Sequence, residues 1–200
     1  MANTSLRSRL KRLFSTNTIV RSIGKKRFHS SKIELFTDYE AMDMDPIISS
    51  ALDIYADEST TKDADGDTLT ISSPNENVKK ILHNLFYDVL NIEYNLWPWI
   101  RNAAKYGDFF LQLDIEEEIG IVGVTPLSAY EVRREEMFDE GNPYAVKFYY
   151  EGMNTAPGGN ARQEFEPFEI AHFRLLSDTN FLPYGKSMIE GARKIFKQLM

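Results

Sequence analysis

The hydrophobic period of this chain changes at Gly107, and that change constrains its architecture more than any other feature. Before it, apolar residues recur at helical spacing. Asp45-Pro46 supplies an N-cap and a proline at the first helical position. Ile47, Ile48, Ala51, Leu52 and Tyr55, with Ile54 alongside, then mark a helix over about 46–58. Ser73-Pro74-Asn75-Glu76 reads as a capping box with Pro74 at N1. The stripe that follows, Val78, Ile81, Leu82, Leu85, Phe86, Val89 and Leu90, predicts a core-facing helix, with Lys79, Lys80, His83, Asn84 and Asp88 outward. Another helix is expected from Trp97-Pro98 to a C′ glycine at Gly107.

Beyond Gly107 the period is two. Phe109, Leu111, Leu113 and Ile115 mark one strand, and Ile119, Ile121, Val122 and Val124 the next. Further strands are predicted at 128–134, 144–151 and 163–174, separated by Gly141-Asn142-Pro143 and Pro157-Gly158-Gly159-Asn160. A last helix over 186–200 places Met188, Ile189, Ala192, Ile195, Phe196, Leu199 and Met200 on one face. Helices, then a mostly antiparallel sheet, then a helix define an α+β fold. The last stripe runs to the final residue without a glycine, proline or polar stop. The expectation is a chain truncated at its C-terminus, with a sticky 188–200 face.

Charge divides the chain differently. Residues 1–33 carry nine Lys/Arg and no acid; the remainder carries 14 Lys/Arg against 30 Asp/Glu, hence −16 within a total of −7. Residues 1–32 are predicted to form a basic arm, disordered or folded as a short amphipathic helix. Leu6, Leu10, Leu13 and Phe14 recur there among Arg7, Arg9, Lys11 and Arg12. Residues 33–200 form the body. A membrane surface, a nucleic acid or acidic protein, and an organellar presequence role all suit such an arm, as does a plain solubilising tail. No apolar run approaches the ~20 residues that span a bilayer.

Chemistry is sparse. With no cysteine, the chain excludes disulfides, zinc–thiolate sites, iron–sulfur clusters and cysteine nucleophiles. His29, His83 and His172 have no nucleophile elbow beside them. Asp63, Asp65 and Asp67 fail the EF-hand pattern, since the glycine comes fourth and Pro74 occupies the twelfth position; a polar hairpin turn leading into Leu69 and Ile71 fits better. Gly185-Lys186-Ser187 lacks the earlier glycine of a phosphate loop, with Asn180 in its place, and reads as a turn entering a helix. The remaining candidate is the acidic set Asp43, Asp45, Asp53, Asp57 and Glu58. One reading is a metal-dependent phosphodiesterase using Asp43, Asp45, Asp53 and Asp57; the other is a solvated acidic helix face. The second is the expectation, so no catalytic, cofactor-binding or metal-binding residue is predicted. The aromatic cluster Trp97, Trp99, Phe109 and Phe110 is expected to be core rather than interface.

Four stretches resemble one family. DPIISSALDIYADEST at 45–60, LWPWIRNAAKYGDFFLQL at 96–113, TPLSAYEVRREE at 125–136 and IAHFRLLSDTNFLPYGKSMIEGARKIFKQL at 170–199 are similar to the portal proteins of T4-like tailed bacteriophages, in the family's order. The resemblance implies a structural subunit without catalysis of its own. It implies a ring of twelve copies at one capsid vertex, through which double-stranded DNA is packaged and ejected. The ring would dock the large terminase subunit and then the neck and tail-completion proteins, within the major capsid and scaffold proteins. Residues 33–200 would be an incomplete wing domain, with stem, clip and crown absent. Residues 5–27 would touch the host inner membrane during head assembly, or capsid and scaffold afterward.

Overall fold

A computed structural model describes residues 32–136, 142, 145–151, 163–175 and 181–199. The arm through residue 31 and the two glycine–proline loops therefore lie, wholly or largely, outside the described residues. The chain divides into two compact units, Met1–Asp38 and Tyr39–Met200. In the first, residues 32–38 are helical, and Thr37 Oγ1 donates to the Ile33 carbonyl at 2.9 Å.

The second unit opens on α1 (39–43) and α2 (Pro46–Ser59). Asp45 caps α2 as expected, its carboxylate accepting from the amides of Ile47 at 2.9 Å and Ile48 at 3.4 Å. The stripe, however, is split: Leu52 and Ala56 are buried, while Ile47, Ile54 and Tyr55 are exposed. The Asp65-Gly66 turn forms, with Asp63 accepting from the amides of Asp65 and Asp67, but no strand follows it among the described residues. Instead Tyr87 donates its hydroxyl to the Leu69 carbonyl, so a side chain takes the acceptor that a strand partner would use.

The next helix, α3 (Glu76–His83), starts two residues later than the capping box implied. Asn75 is the N-cap, accepting from Asn77 at 2.9 Å and Val78 at 3.4 Å; Ser73 Oγ accepts from the Asn75 amide. From Asn84 to Val89 the chain runs as a π-helical turn. No residue of α3 is buried; of the predicted stripe, Val78 and Ile81 are exposed, whereas Leu82 and, in the π turn, Leu85, Phe86, Val89 and Leu90 are half-buried, so it meets the body only from Leu82 onward. It rests on the π turn, which in turn meets β2 and α4. A helical period reports that one face is apolar; it does not report that anything covers that face.

Helix α4 (Ile92–Tyr106) begins five residues before the expected start and carries Pro98 inside it. The lost amide frees only the Tyr94 carbonyl, on an exposed turn near the helix start. Gly107 ends α4 in the left-handed region, φ 81°, as the sequence indicated.

Two three-stranded antiparallel sheets follow rather than one: β2-β1-β6 and β3-β4-β5. Their strands are β1 (Asp108–Glu116), β2 (Gly120–Leu127), β3 (Val132–Glu136), β4 (Val146–Tyr150), β5 (Gln163–Phe165) and β6 (Ile170–Arg174). The span predicted as one strand at 163–174 breaks at a turn where the Glu169 carboxylate accepts from the Glu166 amide at 2.7 Å. The first half of β1 is covered on both faces. Phe109 meets Trp99 of α4 at 5.9 Å, and Phe110 meets Phe148 of β4 edge-on at 6.3 Å. That double coverage explains an unbroken Phe-Phe-Leu run where alternation was expected. The far half of β1 pairs with β2 alone, so the hairpin carrying Ile115, Glu116, Glu117, Glu118 and Ile119 is exposed. The last helix, α5 (Glu190–Leu199), has no buried residue; Ile195 and Leu199 of the expected sticky face are exposed.

Candidate interaction surface

The acidic set is organised by α4. Asp43 at the end of α1 and Asp53 on α2 converge on Arg101, one turn from Lys105. The Arg101 guanidinium donates to Asp53 Oδ1 at 2.6 Å, to Asp43 at 2.8 and 3.2 Å, and to Ser49 Oγ at 3.0 Å. Lys105 Nζ adds a contact of 2.9 Å to Asp43. One turn earlier, the Trp97 indole donates to Asp57 at 2.7 Å. The spacing is helical on both sides: 53 and 57 on α2, with 97, 101 and 105 on α4. The Arg101 guanidinium beside Asp43 holds that carboxyl down to about 2, and the two aspartates push Arg101 upward.

The expectation of a wholly solvated acidic face is therefore corrected. Asp43, Asp53 and Asp57 face α4, because three α4 side chains at helical spacing offer them charge and donors. Asp45 is spent on its cap. The phosphodiesterase reading needed these carboxylates to face a common cation; each instead has a protein donor. Among the described residues no group of three or more His, Asp or Glu is placed to hold a metal ion.

A second polar centre, not anticipated from sequence, lies where the two sheets meet. His172 on β6 is stacked on Phe110 at 4.2 Å with Phe148 edge-on at 5.8 Å. Its Nε2 lies 2.7 Å from Asp108 Oδ1, and its Nδ1 lies 3.2 Å from Arg134 Nη1. Arginine can only donate, so Nδ1 accepts and the neutral ring carries its proton on Nε2, donated to Asp108. Burial pushes the imidazole below its ordinary value despite Asp108, and the Arg134 and Arg174 charges act the same way. Asp108 Oδ1 also accepts from the Gly185 amide at 2.9 Å, while buried Oδ2 has no hydrogen-bond partner among the described residues. The Tyr184 hydroxyl, pushed up to about 12 by burial, accepts from the Arg134 amide at 2.9 Å.

The Gly185-Lys186-Ser187 turn is locked into the same region. A side chain on Gly185 would collide with the Gly107 carbonyl oxygen. Lys186 donates its amide to the Leu175 carbonyl at 3.0 Å, and Ser187 Oγ donates to the Ala104 carbonyl at 3.3 Å. The turn is a strut between α4, β6 and α5. His172 and Asp108 do structural work beside it: they hold the polar edges of segments 64 residues apart.

Several large apolar side chains on helices reach solvent: Ile47 and Ile54 on α2, Val78 and Ile81 on α3, Met188, Ile195 and Leu199 around α5. Such faces suit contacts with other chains rather than chemistry on small molecules. The aromatic cluster stays mostly inside: Phe109 and Phe110 are buried, Trp97 and Trp99 half-buried. The sequence model of the family described as Bacteriophage T4-like portal protein (Gp20) matches residues 32–200. The chain belongs to that family. No curated protein matches it.

All four stretches on which the sequence resemblance rested fall inside the match. A T4-like portal protein is a structural component of the phage virion at its portal vertex, associated with the capsid as an oligomer. The portal chain here has the α+β architecture expected of it, helices with antiparallel sheets. No helix among its described residues is long and apolar enough to cross a membrane.

Proposed function

We propose that this chain is part of a subunit of a twelve-membered portal ring, through which double-stranded DNA enters and leaves the capsid. The match to the T4-like portal family over 32–200 carries this reading. Residues 33–200 form part of the wing, and residues 1–32 a separate basic arm. The ring docks the large terminase subunit during packaging and the neck and tail-completion proteins afterward, and it sits against major capsid and scaffold proteins. The subunit acts by holding other macromolecules in place and catalyses nothing itself. A body of net −16 repels the DNA backbone, so contacts to anionic surfaces fall to the arm, with its nine Lys/Arg through residue 33. Through residues 5–27 the arm meets the host inner membrane from the cytoplasmic side while the head assembles, or capsid and scaffold later.

Electron microscopy and native mass spectrometry of the portal protein test the ring. A closed assembly of about twelve copies with a central hole is expected, and a stable monomer overturns the reading. Flotation with anionic liposomes tests the arm: equal recovery of the chain with and without residues 1–30 removes the membrane role. Hydrolysis of DNA with magnesium or manganese that disappears in Asp53→Asn would restore the phosphodiesterase alternative.

A further inference from the structure

Helix α2 is apolar on two sides: Leu52 and Ala56 are buried, and a second apolar stripe faces outward. Its acids Asp53 and Asp57 turn to α4, while Ile47 and Ile54 stand 81% and 59% exposed. Ile47, Ala51, Ile54 and Glu58 follow one another at helical spacing, and Met44 just ahead of the helix and Tyr55 beside it are also exposed. A stripe of this kind is costly in water, in proportion to the apolar area left uncovered. Helix α3 shows the complementary anomaly. Val78 and Ile81, 43% and 67% exposed, head a stripe flanked by the exposed Lys79 and Lys80.

The two faces differ in charge and in place. Helix α2 carries Asp53, Asp57 and Glu58 and no Lys or Arg; α3 carries Lys79 and Lys80 against Glu76 alone. Helix α2 lies on the Trp97–Arg101–Lys105 face of α4. The π turn that supports α3 is tied to another face of α4, where Asn95 Nδ2 donates to the Leu90 carbonyl at 2.8 Å. Closed rings need a head-to-tail contact between two different surfaces of each copy. Two exposed apolar stripes, one beside Glu58 on α2 and one beside Lys79 and Lys80 on α3, meet that requirement. An isologous α2–α2 contact would instead set the Glu58 carboxylates of both copies in one apolar seam.

We infer that a second copy of this chain covers each face: α3 of one subunit packs on the outward stripe of α2 of the next, with Glu58 facing Lys79 and Lys80. This rests on the ring reading above. The absence of cysteine makes it testable without background. Rings of the intact portal protein carrying Ile54→Cys and Ile81→Cys together are treated with a short bis-maleimide, beside rings of each single variant. A denaturing gel should show a ladder of covalent oligomers for the double variant and monomer alone for the singles. Rings of the double variant that stay monomeric on the gel overturn the inference and leave the portal reading standing. A covalent dimer of either single variant also overturns it, because that product is isologous. If the cysteine variants fail to form rings, charge reversal decides. Glu58→Lys alone and Lys79→Glu with Lys80→Glu should each lower ring yield, and all three together should restore it; no restoration overturns the contact. Failure of the unmutated protein to form rings is seen first, and it removes the portal reading itself.

Discussion

Replacing Arg101 by methionine should cost about 1–2 kcal/mol of folding stability, and the loss should have a particular pH signature. Methionine keeps the apolar stem against α2 and removes only the guanidinium. Asp43, whose side chain is 16% exposed, then keeps Lys105 as its cation, and Asp53, 46% exposed, returns to water. The magnitude follows from Asp43: its carboxyl is held at about 2 against an ordinary 3.8. At about 1.36 kcal/mol per unit that is at most about 2.4 kcal/mol, of which solvent screening and the surviving Lys105 contact remove a good part. The exposed Asp53 pair adds no more than a few tenths. Because the folded value is depressed, the unfolded chain binds the proton first as pH falls. The contribution is therefore complete above 3.8 and is lost as pH drops through about 2. Urea unfolding followed by tryptophan fluorescence reads this well, since Trp97 and Trp99 lie on the same helix as Arg101. Wild type should lose more stability than Asp43→Asn across that window, and Arg101→Met should show a smaller difference. Equal urea midpoints for wild type and Arg101→Met above pH 5, or parallel acid curves for wild type and Asp43→Asn, would refute the assignment of this ion pair.

Leu52→Ala should cost about 2–5 kcal/mol, because Leu52 is fully buried, whereas Ile54→Ser on the opposite face should stay within about 0.5. Reversal of that order in urea midpoints would show that α2 is turned the other way. Gly185→Ala should fold poorly or lose several kcal/mol in a thermal melt, since the new methyl meets backbone rather than a movable side chain; an unchanged melting temperature would disprove the close approach to Gly107. His172 is held neutral by burial, so the unfolded state takes up its proton first. Stability should fall as pH drops below 6.5, by up to about 1.4 kcal/mol per pH unit, and His172→Gln should flatten that slope. A slope that survives His172→Gln would place the titrating group elsewhere.

The residues whose partners lie nearby in sequence were legible, and those whose partners lie far away were not. Asp45, Pro46 and Gly107 act within one turn of themselves, and each does what its type implied. The missed features depend on distant segments. Nothing near Asp53 in sequence announces Arg101, 48 residues on, yet their side chains meet at 2.6 Å. Nothing near His172 announces Asp108; a histidine between alanine and phenylalanine in a strand looks like filler until β1 supplies a carboxylate across the sheet. The same limit explains the exposed stripe of α2. Periodicity locates an apolar face but cannot say whether the body or another molecule covers it, and α2 shows both cases, with Leu52 and Ala56 buried and Ile47 and Ile54 exposed. An amphipathic stripe in a chain that assembles is thus ambiguous by construction: core and interface obey the same period, and only the position of the counter-charges separates them.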